Sequence, residues 1–257
     1  MIFILLIGLG SFAQADDKRT LVKVRLNDYF LFLHPFDSST IPDLNEFENH
    51  VNHNLSRIKR RYHHDQDLLL KQLFYRFHRR YLKHYDNYPP FEKLISSGTY
   101  NCLTGTILYA IALKHLGFDY AIYETAFHTY LVVNLNNDKR ILFESTDPVE
   151  GLVTNESQIT QLEQKYKFLK IAPWDLNRLI MEQARYSNSY QRQITLQQLA
   201  GLHYYNLGVS DLHQGELQKA LEKLKWAALF YPSSKRISNL KQVITNSITP
   251  NPLTLNE

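Results

Sequence analysis

Apolar residues in the first third of the chain recur with the period of a helix. Pro42 and Asp43 favour a helix start, since proline suits the first helical turn and an acid suits its positive end. A second helix should begin near 65–67 and end at 88–90, where two prolines cannot continue it. Residues 91–97 predict a further short helix. The apolar faces of the two long helices carry Phe47, Val51, Leu55, Ile58, Leu69, Leu70, Leu73, Phe74, Phe77 and Tyr81.

The pattern changes in residues 98–151. Residues 102–116 are almost all apolar and predict a buried helix, with Asn101 as its N-cap and Gly117 as its stop. A turn-rich stretch at 134–138 predicts a hairpin between the last two of three strand-like segments. These segments lie at about 120–124, 128–134 and 140–145.

The rest of the chain is predicted to be largely helical. Two helical stretches at 156–169 and 174–190 are separated by Pro173. Near the start of the chain, the alternating segment 21–26 predicts a strand or an extended lead-in. The last residues, 247–257, predict a loose tail.

Composition indicates an ordered globular protein with a sizeable core. The chain has 257 residues, enough for one large domain or two modest ones. Hydrophobic residues make up 44% and charged residues 21%, which argues against disorder. The net charge of +4 is small, and the basic residues are spread along predicted helices. We therefore expect no nucleic-acid partner, which usually requires a concentrated basic face.

The N-terminus has the pattern of a secretory signal. The apolar run 2–9 is followed by Ala13 and Ala15 in a small-x-small arrangement, which predicts a signal peptide of residues 1–15 cleaved after Ala15. The run is too short to cross a bilayer, for which roughly 20 apolar residues are needed. The expected location is therefore secreted or periplasmic, without a stable membrane span.

Candidate chemistry begins at Cys102, the one cysteine of the chain. A single cysteine cannot form an internal disulfide, so its thiol is a candidate reactive group. Cys102 falls in the first turn of its predicted helix, where free amides and the helix dipole favour the thiolate. His128 begins a following strand and Asp147 follows the next, so an acid there can accept the second imidazole N–H.

Glu144 is an alternative acid for this triad. Strand alternation directs it to the face opposite Phe143. Separately, the pairing of Asp147 with Pro148 favours Asp147. Each residue also has an ordinary structural interpretation: a small core cysteine, a hydrogen-bonded strand histidine and a turn aspartate.

Three segments in this order resemble the transglutaminase-like superfamily: 98–106, 127–133 and 141–148. The resemblance covers about 90–152. It implies an α+β, papain-like core in which a buried cysteine helix packs on an antiparallel sheet. It also implies a catalytic triad of Cys102, His128 and Asp147 and acyl transfer from a peptide or protein amide, although some family members have lost activity. Thr129 and Tyr130 follow His128, where many members carry a tryptophan.

Residues 201–234 resemble a tetratricopeptide repeat, a helical unit that usually binds peptides or proteins. Residues 234–246 predict the start of another helix. These observations predict a core at 16–152 with a helical lead, a helical repeat-like module at 153–246, and a possible protein partner bound by residues 201–246. The positions that match the repeat are Tyr204, Leu207, Gly208, Gly215, Leu217, Ala220, Leu224, Ala227 and Pro232.

Three functions remain open on the sequence alone. The leading hypothesis is a secreted or periplasmic cysteine acyl-transfer enzyme, and the main alternative is a non-catalytic binding or scaffold protein. A weaker hypothesis is metal binding through Cys102 and His128. The histidines at 50 and 53 have helical spacing but lack a completing carboxylate or second cysteine, so we expect no metal there. There is no Gly-rich phosphate loop, and we expect no cofactor.

Overall fold

The computed structural model describes residues 44–136, 139–168 and 190–248, and within them the fold is mixed α+β. The predicted signal peptide, the predicted lead-in segment, the stretch 174–189 and the tail from 249 lie outside the described residues. The helices are α1 (Leu44–Tyr62), α2 (Gln66–Tyr81), α3 (Phe91–Ser97), α4 (Cys102–Leu116), α5 (Glu156–Lys167), α6 (Leu196–His213), α7 (Leu217–Phe230) and α8 (Lys235–Ile248). The strands are β1 (His84–Tyr85), β2 (Thr99–Tyr100), β3 (Asp119–Thr125), β4 (Thr129–Asn134), β5 (Arg140–Phe143), β6 (Leu152–Val153) and β7 (Gln191–Ile194).

Five of the strands form an antiparallel sheet in the order β6-β5-β4-β3-β7. The predicted hairpin between the second and third strand-like segments is confirmed, with Leu131 opposite Phe143 and Val132 opposite Leu142. Strand β7 was not predicted; it pairs with β3 and brings residues well beyond 152 into the sheet. Its four residues are mostly polar, so they give no strand pattern.

The two faces of this sheet are covered differently. In β4 and β5, odd-numbered residues such as Leu131 and Phe143 lie on one face and join the main core. Even-numbered residues of the same two strands, such as Leu142, lie on the other face and pack with Ile159 and Tyr166 of α5 in a smaller cluster. Burial on both faces explains why every residue from 129 to 133 is buried.

Helix α4 is the centre of the main core. Its residues 103–113 are all buried, which matches its lack of a polar face. It packs on β3 and β4 on one side and on α6 on another. Helix α2 contributes a stack of Phe74 on Tyr109 with ring centroids 5.4 Å apart, and the Tyr109 hydroxyl donates to the Phe74 carbonyl at 2.9 Å.

Helix α2 ends earlier than its sequence predicts. The predicted stop was the proline pair at 89–90, but the helix ends at Tyr81. Residues 84–85 instead pair in parallel with 99–100, forming a small two-stranded sheet next to the start of α4. This pairing, rather than proline, sets the end of the helix, because it requires extended backbone from residue 84.

The C-terminal helices pack in sequence, α6 on α7 and α7 on α8. Gly201 permits the close approach of α6 to the end of α7, since a Cβ there would lie 2.5 Å from the Cβ of Tyr231. Gly208 similarly faces the Ala220 carbonyl, 3.2 Å from where a Cβ would stand. Among the described residues, no helix has the length and apolarity needed to cross a bilayer.

Candidate active site

Cys102 occupies the first turn of α4, and a capping box fixes that position. Asn101 is the N-cap, as predicted: its Oδ1 accepts from the Thr104 amide at 3.0 Å, and its own amide donates to Thr104 Oγ1 at 2.9 Å. The Asn101 Nδ2 donates to the Asn87 carbonyl at 2.9 Å and so ties the preceding loop to the helix. The thiol therefore lies where the backbone amides of a helix start favour negative charge.

His128 lies in the tight connection between β3 and β4. The Thr125 amide donates to the His128 carbonyl at 2.8 Å, and the His128 amide donates to Thr125 Oγ1 at 3.0 Å. The imidazole Nε2–H donates to Glu144 Oε2 at 2.5 Å. The ring of Tyr166 packs against the imidazole, with ring centroids 4.7 Å apart. Because Nε2 is occupied by Glu144, Nδ1 is the ring nitrogen left for the Cys102 thiol.

The carboxylate next to His128 belongs to Glu144, not to Asp147 as the sequence analysis expected. Asp147 Oδ1 accepts from the amides of Val149 and Glu150, at 2.9 and 2.8 Å, and so serves as a turn residue. The structure thus brings Cys102 and His128 to the same cavity, whereas the partners of the Asp147 carboxylate are backbone amides of its own turn.

Strand register gives the physical reason for this correction. The β4–β5 pairing sets residue 132 opposite 142, so its continuation sets 130 opposite 144. Residues 128 and 144 are both even-numbered and therefore share a sheet face as diagonal neighbours. The alternation argument correctly separated Glu144 from Phe143, but His128 lies on the face of Glu144. Parity identifies Glu144 only once this register is known, so alternation along the sequence could not by itself have chosen between the two acids.

The loop that carries Glu144 is tightly held. Glu144 Oε1 accepts from the Thr146 amide at 2.9 Å and from its hydroxyl at 2.6 Å. The Glu144 amide donates to the Gly151 carbonyl at 2.7 Å. A Cβ at Gly151 would lie 2.2 Å from the Glu144 carbonyl oxygen and 2.3 Å from that of Asp147, so only glycine fits there.

Ser145 connects this loop to two helices. Its carbonyl accepts from Nε2 of the buried His78 at 3.1 Å, and its hydroxyl donates to the Cys102 carbonyl at 3.4 Å. A Cβ at Gly105 would lie 2.7 Å from Ser145 Cβ, so the absence of a side chain at Gly105 allows α4 to approach the loop closely. Helix α4 and the loop that carries Glu144 are therefore fixed relative to one another.

The electrostatics of the site favour a thiolate–imidazolium pair. Burial raises the pKa of the Cys102 thiol, but the hydrogen bond with His128, the imidazolium charge and the Thr129 amide together lower that pKa below its usual value. Burial lowers the pKa of His128, whereas hydrogen bonds with Cys102 and Glu144 and the charges of both raise it to about 10. Burial raises the pKa of Glu144, but the hydrogen bonds with His128 and Thr146 and the charge of His128 lower it by more than that. The net effect is a lowered pKa, so this carboxyl remains charged.

A cavity of about 230 Å³ opens beside Cys102 and His128. Its walls come from the start of α4, the β3–β4 connection, the loop around 85–88 and the C-terminal helices. The lining residues are Tyr85, Asn87, Tyr88, Asn101, Cys102, Leu103, Glu124, Thr125, Ala126, Phe127, His128, Thr129, Leu202, Tyr205, Asn206, Val209 and Arg236. Of these four walls, the start of α4 and the β3–β4 connection were predicted from the sequence, whereas the loop around 85–88 and the contribution of α6 and α8 were not.

Comparison of the chain with models of known protein families, with curated proteins and with solved structures gave no match. In the described ranges, no three or more histidine, cysteine or acidic side chains converge as metal ligands. The candidate site therefore stands on its own geometry: a thiol, an imidazole and a buried carboxylate in series.

Proposed function

We propose that this protein is a cysteine acyl-transfer enzyme of the transglutaminase-like, papain-like kind, with Cys102 as nucleophile, His128 as acid–base and Glu144 as the residue that orients His128. One observation carries the proposal. The imidazole that lowers the Cys102 pKa also donates its second N–H to a buried carboxylate. Thiol, imidazole and carboxylate in that order form the arrangement that activates a nucleophile and fixes the tautomer of its base.

In the first half of the reaction, the Cys102 thiolate attacks the carbonyl carbon of an amide and forms the C–S bond. The imidazolium of His128 then gives its Nδ1 proton to the leaving nitrogen as the C–N bond breaks, which leaves a thioester and a free amine. Glu144 keeps the imidazolium charged and its ring oriented until that transfer. Without this proton the leaving group would be an amide anion, which is a very poor leaving group.

In the second half, an acceptor attacks the thioester. His128 takes a proton from water, or from an amine, as the new C–O or C–N bond forms and the C–S bond breaks. The products are then a carboxylic acid or a transferred amide, and the thiolate–imidazolium pair is restored. We favour hydrolysis of peptide or protein amides, because water is always present as an acceptor.

The test is the rate of Cys102 alkylation by iodoacetamide as a function of pH. Cys102 is the one cysteine in the chain, so the label reports on this thiol alone. We expect rapid alkylation well below pH 8 in the wild type, because the thiol pKa is lowered from its ordinary value of about 8.5. His128→Ala should move the profile upward, and the matched control His63→Ala, on an exposed turn, should leave it in place.

Slow alkylation of a thiol that titrates near 8.5 or above, with the same pH profile in His128→Ala, would overturn the enzyme proposal. It would favour the scaffold alternative, in which residues 201–246 hold a protein partner. That alternative makes its own prediction: Cys102→Ser would leave partner binding unchanged. In the enzyme proposal, the same substitution abolishes turnover.

A secreted or periplasmic location is part of the same proposal and rests on the sequence pattern of residues 1–15. The mass of the protein recovered from its native host tests it. Cleavage after Ala15 gives a chain that begins at Asp16, and recovery of a chain that retains residues 1–15 would contradict it.

A further inference from the structure

One face of α6 forms a wall of the catalytic cavity. Leu202, Tyr205, Asn206 and Val209 all line the space next to Cys102. Their spacing is i, i+3, i+4 and i+7, which is a single helical face. Three of the four are nearly fully buried, whereas Asn206 is partly exposed. The C-terminal helices thus provide a surface that a substrate at Cys102 would touch.

The charged side chains that line this cavity are already paired with each other. Apart from the catalytic pair, the charged lining residues are Glu124 and Arg236, whose side chains are 1% and 9% exposed and 3.4 Å apart. Arg236 Nη2 also donates to the carbonyls of Thr125 and Ala126, both at 3.1 Å. The remaining lining groups are aromatic, aliphatic or neutral polar. A charged substrate side chain would therefore lose its hydration without gaining an ion pair.

Two neutral amide side chains line the cavity from different elements. Asn206 lies on α6, and Asn87 lies on the loop that Asn101 ties to α4. Within the described part of the chain, neither side-chain amide makes a hydrogen bond. A peptide group offers one donor and one acceptor, which an asparagine side chain can satisfy together.

We propose that the α6 face formed by Leu202, Tyr205, Asn206 and Val209 is the acyl subsite of this protein, selective for substrates whose acyl residue has an uncharged apolar or aromatic side chain. Asn206 hydrogen bonds to the peptide group of that residue. The inference rests on the proposed function. The cavity of about 230 Å³ is below the usual range for whole drug-sized ligands, roughly 300–1,000 Å³, and suits one side chain with its amide.

The probes are N-acetyl aminoacyl fluoromethyl ketones carrying leucine, phenylalanine, glutamate or lysine, with iodoacetamide as the reagent that needs no subsite. Second-order rates of Cys102 labelling are measured for each and divided by the iodoacetamide rate. In the wild type, the leucine and phenylalanine reagents should react about tenfold faster or more than the glutamate and lysine reagents. This comparison needs no variant.

Asn206→Asp then places a negative charge in the cavity. It should raise the lysine-to-leucine rate ratio by about tenfold. The iodoacetamide rate of the same variant is measured alongside, and each ketone rate is divided by it, so that a change in the reactivity of the thiol itself cancels. The matched control is Asn246→Asp on the exposed side of α8, which should leave the lysine-to-leucine rate ratio as in the wild type.

The two proposals fail in different ways. Rapid, His128-dependent labelling by iodoacetamide with equal rates for all four ketones would overturn the subsite while leaving the enzyme proposal intact. Slow iodoacetamide labelling that ignores His128 would overturn the enzyme proposal and the subsite with it. An unchanged lysine-to-leucine ratio in folded Asn206→Asp would remove Asn206 from the subsite.

Discussion

Exchanging the two candidate acids separately tests which of them supports His128. Glu144→Gln keeps the shape of the side chain but removes its charge, and Asp147→Asn does the same at the position that sequence analysis preferred. Of the two acids, Glu144 is the one whose carboxylate contacts the imidazole, at 2.5 Å, and the side chains of Glu144 and His128 are 5% and 15% exposed. We expect Glu144→Gln to lower the pKa of His128 and Asp147→Asn to leave it close to wild type.

The size of the shift follows from the hydrogen bond that is lost. A hydrogen bond to a charged partner stabilises by about 1.5–3 kcal/mol, and one pKa unit corresponds to about 1.36 kcal/mol. Glu144→Gln should therefore lower the His128 pKa by about one to two units. Both groups are largely buried, so solvent screens this interaction only weakly.

The assay is an NMR titration of the imidazole ¹⁵N and ¹H signals, with His128 assigned by comparison with His128→Ala. In the wild type, the ring should stay protonated far above pH 6.5, because its pKa is raised to about 10. A lowered His128 pKa in Asp147→Asn together with an unchanged one in Glu144→Gln would refute the reasoning. It would also restore the triad that the sequence suggested.

Three further perturbations test the surroundings of the site. Gly151→Ala should destabilise the fold by about 1–3 kcal/mol or more, because its Cβ would overlap the Glu144 carbonyl oxygen at 2.2 Å; a urea midpoint equal to wild type would contradict this. Burial lowers the pKa of His78, so the unfolded chain binds a proton there more readily, and the free energy of unfolding should fall as pH drops below about 6.5. His78→Gln should lose that part of the pH dependence; a free energy of unfolding that changes from about pH 7.5 to 5.5 as steeply as in the wild type would contradict this. Arg236→Lys should loosen the β3–β4 connection that carries His128 and slow Cys102 alkylation several-fold near pH 7. A pH profile of alkylation identical to that of the exposed control Arg79→Lys would exclude a positioning role for Arg236.

Sequence patterns were informative where one physical effect dominates. The α4 helix was evident from its apolar run, and its ends were evident from Asn101 and Gly117, because capping residues act locally. The β4–β5 hairpin was likewise evident from alternation and a polar turn. Cys102 and His128 could be paired because each lies at the end of one of these local elements.

The choice of acid needed information that alternation along one strand does not contain. Alternation tells which residues of a strand share a face, but pairing of faces between strands depends on register. Glu144 and His128 share a face only because residue 132 lies opposite 142. Pro148 next to Asp147 indicates a turn. The Asp147 carboxylate accepts a hydrogen bond within that turn instead of one from the imidazole.

The contribution of the C-terminal helices depends on contacts more than a hundred residues apart in sequence. Glu124 is buried at the end of β3, where it accepts from the Tyr231 hydroxyl at 2.8 Å and lies 3.4 Å from Arg236. Replacing such a buried ion pair with apolar residues is often neutral or stabilising, so stability alone is a weak reason for having it. Arg236 also donates to the carbonyls of Thr125 and Ala126, which belong to the connection that carries His128. The polar network therefore fixes where the C-terminal helices sit relative to the imidazole of His128. The same docking holds the α6 face against the cavity, which links the geometry of His128 to the shape of the proposed subsite.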